Sequence, residues 1–306
     1  NRSHIYIASK HCETMPVTLY DDIDKAANDL LRDDFKFERK LKIKSKASNG
    51  LEVTSETVMS GDGASRSVLS KLSAKFAHSS GLTLDKLSIS THGRVIGEAS
   101  IDGVADGLTL TLKAEDGSQN NSAGKKYSDY GRLGAEYATD VFSVTGEVDV
   151  VNGPTVTASA SASHENFIAG GECEFNTHFD DEGGPELESY DVGAGYNGSD
   201  FTATVRSSKC LGVFNAAFHH NVDSDTQVAA RVSYSTSDES VGFAVVGQRK
   251  LDAATTTKAM MDGNGLVSLA YTQKMNSRCT LSTAAQIDAL NFSSDSHKFG
   301  LAVTFS

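Results

Sequence analysis

The residues with the clearest capacity for chemistry are Lys40, Lys42, Lys44 and Lys46, which alternate with Leu41 and Ile43. On a strand, alternate side chains share one face. Four ammonium groups on one face cannot enter a packed core, so that face is expected to be wet. By the same parity or by helix face, Lys25, Lys71, Lys75, Lys113 and Arg206 join them as cations lining an aqueous space. The chemistry such a set performs is electrostatic. A phosphate–ammonium contact at ~4 Å in water-like surroundings is worth only ~1 kcal/mol. Several such contacts concentrate anions without trapping them, which is what conduction requires.

Covalent and metal chemistry find little footing. His219 and His220 are adjacent, so on a strand they point to opposite faces and cannot share a metal. His78, His92, His164 and His178 lie in separate strands or turns without ligand spacing. No nucleophile elbow or glycine-rich phosphate loop occurs, so neither an enzyme nor a cofactor site is expected. Cys12, Cys173, Cys210 and Cys279 lack C-x-x-C spacing and are expected to be free thiols. A formal net charge of −12 argues against nucleic acid as a partner.

The elements that must position the cations are strands, with one exception. Leu19–Asp34 reads as an amphipathic helix, with Tyr20, Ile23, Ala27 and Leu30 on one stripe and Asp22, Lys25, Asp29 and Arg32 off it. Asp21 or Asp22 is the expected cap. From Phe37 onward the pattern is strand after strand. Leu108, Leu110 and Leu112 alternate with Thr109, Thr111 and Lys113; Phe201, Ala203 and Val205 with Thr202, Thr204 and Arg206; Val228, Ala230, Val232 and Tyr234 with Gln227, Arg231 and Ser233. Turns are expected at Ser48-Asn49-Gly50, Gly61-Asp62-Gly63, Asp102-Gly103, Asn152-Gly153-Pro154, Asn197-Gly198-Ser199 and Asp262–Gly265. The longest interruptions are Asp116–Gly124 and Asp180–Glu188.

The runs amount to roughly nineteen strands, each near the ~10 residues that cross a bilayer when tilted. Small polar residues on the wet face exclude a sandwich, whose inner faces need bulk. The fold class is therefore all-β: a closed transmembrane barrel with an apolar exterior, wide enough to hold a pore and the helix within it. A mean hydropathy of −0.29 fits, because only alternate residues meet lipid. Three segments follow: an N-terminal extension over 1–18, a pore-lining helix over 19–34 and a barrel over 37–306. Residues 1–14 precede Met15 and read as an extended arm, whether native extension, processed end or sequence upstream of a start at Met15.

From about Met15 to Ser306 the chain resembles the voltage-dependent anion channels, porins of the mitochondrial outer membrane. The resemblance is carried by Leu19–Ala27, Ser48–Ser55, Ala270-Tyr271-Thr272-Gln273 and His297–Leu301, in order and at matching distances; the N-terminal part looks most like plant or protist members. Nineteen is this family's known strand number, so the strand count is not independent of the resemblance. The resemblance implies first and last strands paired in parallel, the helix inside the pore, and passive exchange of ATP, ADP and phosphate. It also implies contact with membrane lipids and a homo-oligomer or larger outer-membrane assembly.

Carried over residue by residue, the helix lysine implicated in nucleotide contact matches Lys25, while two further basic positions are Asn28 and Asp33. The Gly-Leu-Lys segment is Gly107-Leu108-Thr109, and the membrane-facing glutamate of animal members falls near Ser79. No glycine hinge lies in Arg32–Arg39. Nicotinamide-nucleotide contacts would map to Leu266, Val267 and Ser268 and to Ala284, Ala285, Gln286, Ile287 and Asp288. Loss of these cations, set against Asp22, Asp29, Glu136, Asp288 and Asp180-Asp181-Glu182, leads us to expect weak anion selectivity or near neutrality. The alternatives are the protein-import channel of the same membrane and a non-conducting structural subunit.

Overall fold

The computed structural model describes residues 17–61, 67–116, 129–151, 154–177, 184–293 and 296–306. The expectations for 1–14, Asp62-Gly63, Asn152-Gly153, Asp180-Asp181-Glu182 and the interruption after Asp116 fall outside these residues. A short 3-10 helix, Tyr20–Asp22, leads into α1, Lys25–Arg32. Nineteen strands follow: β1 Arg39–Lys46, β2 Glu52–Ser60, β3 Ser67–Ala77, β4 Leu82–Ser90, β5 Val95–Ala105, β6 Leu108–Asp116, β7 Tyr130–Ala138, β8 Phe142–Asp149, β9 Thr155–His164 and β10 Phe167–Asn176. The rest are β11 Glu186–Asn197, β12 Phe201–Ser208, β13 Val213–Asn221, β14 Thr226–Ser235, β15 Val241–Lys250, β16 Thr255–Asp262, β17 Leu266–Asn276, β18 Cys279–Asp288 and β19 Lys298–Phe305.

Each strand pairs antiparallel with the next, and β1 closes the sheet against β19 in parallel, from Arg39 opposite Leu301 to Ile43 opposite Phe305. Closure leaves no unpaired edge, the condition a bilayer imposes on a sheet. Inside and outside follow from the helix. Ala27, Leu30 and Leu31 pack on Ala217, Ala229 and Val246, so the register rows carrying these three line the lumen. One such row runs Ala229, Val246, Met260, Ser268, Gln286, Lys298. On β19, Ala302 and Thr304 share the parity of Lys298 and pair with Lys40 and Lys42, so the β1 lysines face inward. The opposite parity carries Leu72, Leu110, Val205 and Val232, all exposed on the outer surface; Leu72 keeps 51% of its area. Phe76, Leu108 and Val303 share that outward parity. Exposed leucine and valine in such continuity is the mark of a lipid-facing wall.

Three local expectations are corrected. The helix is not continuous over 19–34: the chain breaks at Asp24, whose φ of −105° and ψ of 11° lie outside the helical region. The break lets two apolar patches meet different walls. Val17, Tyr20 and Ile23 pack on Ile168 of β10, whereas α1 packs on β13–β15. Neither Asp21 nor Asp22 caps a helix, because their carboxylates engage Arg206 and Lys25 instead. Asp102-Gly103 lies inside β5 as a bulge. The chain reverses four residues later at Asp106-Gly107, where Gly107 has φ +77° and a Cβ would strike the carbonyl of Ala138. The Asn49-Gly50 turn forms as read, with Gly50 at φ +88° and the Asn49 side chain accepting the Leu51 N–H.

Candidate permeation pathway

The inward rows divide the lumen into unlike walls. On β1–β4 the lysines line one cavity of about 590 Å³ with Lys42, Lys44, Lys46, Lys71, Lys75 and Lys86 around it. The hairpin at Asn49-Gly50 brings glutamates opposite them. Lys40 Nζ lies 2.8 Å and Lys42 Nζ 3.8 Å from the Glu56 carboxylate, and Lys46 Nζ lies 2.7 Å from Glu52. Lys86 pairs with Glu98 at 2.6 Å. Among the described residues, Lys44, Lys71 and Lys75 have no carboxylate at ion-pair distance. The lysines gather on one wall, where Lys40 and Lys42 share the one Glu56 carboxylate and Lys44, Lys71 and Lys75 stand apart from any carboxylate among the described residues.

Farther round, Lys113 sits 2.6 Å from Glu147, which also accepts from Arg132 at 3.0 Å; Arg132 in turn reaches Asp149 at 3.3 Å. Arg94 pairs with the buried Glu115 carboxylate. Lys113 is thus one member of a fixed network, not an isolated cation. Arg206 is likewise committed. Its guanidinium lies 3.0 Å from Asp21 and 3.6 Å from Asp24, and stacks 4.3 Å from the centre of the Tyr20 ring, itself 0% exposed. A guanidinium both paired and stacked anchors a neighbour well and leaves few donors for a passing anion. Arg206 therefore fastens the N-terminal segment to β12.

Two further wall cations do the same and were not singled out from sequence. Arg231 donates to the Asn28 side chain at 3.2 Å, and buried Lys258 holds Asp34 at 2.9 Å. Asp34 stands at φ +69°, and a Cβ at Gly300 would collide with Lys36 where the linker crosses β19. The linker without a glycine hinge is thus pinned at Asp34 and seated in the notch of Gly300. On the helix, Ile23, Ala27 and Leu30 are buried, while Lys25, Asp29 and Arg32 are exposed to the lumen and Asp22 pairs with Lys25 at 2.9 Å.

The nicotinamide-contact stretches do come together, with Leu266 opposite Asp288, Val267 opposite Ile287 and Ser268 opposite Gln286. Parity divides them. Leu266, Ser268, Ala284, Gln286 and Asp288 face the lumen, whereas Val267, Ala285 and Ile287 face outward and cannot touch a solute in the pore. Ser268 is fully buried beneath Gln286, whose amide donates to its hydroxyl at 3.2 Å. The Asp288 carboxylate accepts from the N–H groups of Leu290 and Asn291 and from Ser296, closing its own loop.

A family model described as eukaryotic porin matches residues 16–300. The mitochondrial outer membrane protein porin of Neurospora crassa is 25% identical over 308 residues, 95% of this chain and 99% of that protein. The protein of the same name from Candida albicans is 28% identical over 296 residues, covering 95% of this chain and all of its own length. The non-selective voltage-gated ion channel VDAC3 of Homo sapiens is 28% identical over 286 residues, 92% of this chain and 96% of that one. With nineteen strands, a parallel closure and a family match over nearly its whole length, the chain belongs to the eukaryotic porin family.

Proposed function

We propose that this chain forms a voltage-gated pore of the mitochondrial outer membrane through which ions and small metabolites diffuse passively. ATP, ADP and phosphate are the solutes that suit its lysine sector. The observation that carries this reading is the asymmetry of the lumen: the helix covers β13–β15, while among the described residues the cavity beneath Lys44, Lys71 and Lys75 is open. An open basic wall gives phosphate groups weak, exchangeable contacts. The relatives' names support the channel reading, and the protein-import alternative is not favoured.

Selectivity for anions is weak. The glutamates Glu52 and Glu56 neutralise much of the β1 lysine charge. Glu136, Glu172 and Glu174 face the lumen without a cation at ion-pair distance among the described residues. Permeating ions respond to charges within a Debye length, roughly 8–10 Å at physiological salt, so these opposed sets offset each other. Purified chain in a planar bilayer decides the matter. Stepwise conductance that closes at high voltage, a small reversal potential across a salt gradient and measurable ATP current are expected. Folded protein that passes no current would make it the structural subunit instead, and strong anion preference would overturn the selectivity.

A further inference from the structure

The outer wall carries a groove of about 770 Å³ across β15–β19. Its floor and one flank lie on a single outward register row: Gly247, Ala259, Leu269, Ala285 and Phe299. Small residues on β15, β16 and β18 make the hollow, and Leu269 and Phe299 bound it. One row along the strands, Arg249 and Tyr271 stand beside it. Arg249 is the penultimate residue of β15, so its outward guanidinium sits at the membrane rim. It is exposed, and among the described residues no carboxylate lies at ion-pair distance from it. Asp223, in the neighbouring turn, lends it only a distant field, since that carboxylate is taken by the N–H groups of Asp225 and Thr226.

From this geometry we infer that the groove is a binding site for one anionic phospholipid, with an acyl chain along the floor and the phosphate on Arg249. The outer surface is apolar, so the groove opens on hydrocarbon, and a chain of methylenes is what fills it. Arg249 adds the demand for an anion. A guanidinium at the interface binds phosphate bidentately and strongly. A second copy of the barrel serves less well. A two-fold contact places like patches together. The strand carboxylates of β14–β19 are Asp262 and Asp288, both on inward rows, so the partner would offer Arg249 no counter-charge there.

Native mass spectrometry of the folded chain in detergent, titrated with phosphatidylglycerol or phosphatidylcholine, tests the site. Phosphatidylglycerol is expected to be retained at one per chain, roughly tenfold more tightly than phosphatidylcholine, whose choline ammonium offsets the phosphate charge and repels Arg249. Arg249→Gln should remove that preference while leaving the fold and its conductance intact. Gly247→Leu should weaken both lipids by filling the groove. A Cβ there meets only Val228, at 4.0 Å, so the strand tolerates it. Lys44→Gln, which alters only the lumen, should leave the retention of both lipids unchanged. Equal retention in Arg249→Gln would overturn the site, as would loss in Lys44→Gln, which would put the lipid phosphate in the pore. A dimer that persists in detergent and dissociates with Gly247→Leu would assign the groove to a second copy.

Discussion

The wall that carries the helix and the wall that carries the lysines obey the same alternation, yet their inward rows are filled in opposite ways. Beneath the helix the row is small and apolar, with Ala217, Ala229 and Val246 giving Leu30 and Leu31 a surface to bury against. Burial of each leucine contributes about 1.5–3 kcal/mol, enough to hold an eight-residue helix that could not persist alone. The wall's cations there, Arg206, Arg231 and Lys258, are spent on the N-terminal segment. On β1–β4 no other described segment covers the row, and Lys44, Lys71 and Lys75 line an open cavity. A cation's role in this lumen is therefore decided by what lies over it, not by its parity alone.

The largest expected effect tests the register on which both walls rest. Leu110 faces outward and Thr109 inward. Arginine in place of Leu110 should destabilise the folded barrel in bilayers by ~2–4 kcal/mol, while arginine in place of Thr109 should be tolerated. Denaturant-dependent folding into vesicles measures both, and equal losses would reject the assignment of faces.

The next effect separates the walls. Leu30→Ala should weaken helix docking by about 2 kcal/mol, the low end for a buried leucine because the helix can settle into the gap. A spin label at Lys25→Cys should then show increased mobility, and removal of residues 1–34 should enlarge conductance and abolish well-defined closing. Unchanged conductance and gating after truncation would mean that the helix does not narrow the pathway. On the other wall, Lys42 and Lys44 both replaced by Glu should move the reversal potential clearly toward cations. Arg206→Gln should shift it less, because it removes a single charge where the double replacement reverses two.

Much of this was legible in the residues. Lys40–Lys46 announced a wet face, and the outward leucines of β6 followed from alternation alone. The glutamates opposite could have been read as well, since a hairpin centred on Asn49-Gly50 sets Lys46 against Glu52 and Lys42 against Glu56. Alternation would also have separated Val267, Ala285 and Ile287 from the lumen, had it been applied to the stretches carried over by resemblance. What could not be read was the helix's seat. Ala217, Ala229 and Val246 look like any small barrel residues until the helix lies on them. Lys258 Nζ reaches the Asp33 carbonyl, 225 residues away in sequence, and pairs with Asp34 beside it, a separation that no local pattern records.

The smallest expected effect lies at the rims, where the walls differ again. Above the helix wall, the turns are closed by carboxylates: Asp223 accepts the N–H groups of Asp225 and Thr226, and Asp252 accepts that of Ala254. Above the lysine wall the corresponding turns use other acceptors, the Asn49 amide for Leu51 and a ring nitrogen of His78 for Ser80. The N–H of Asp225 above all, and that of Ala254 in the other turn, hold these two carboxylates below the ordinary aspartate value. A depressed carboxylate contributes order that is complete above its unfolded value and is lost as pH falls through the folded one. Amide exchange protection at Asp225, Thr226 and Ala254 should therefore hold across neutral and mildly acidic pH and drop below the usual carboxylate range. Protection at Leu51 should show no such step. Asp223→Asn keeps an acceptor but no titrating group, so it should erase the acid step at Asp225 and Thr226 and leave that at Ala254; a step that survives at Asp225 and Thr226 would place its origin in another group.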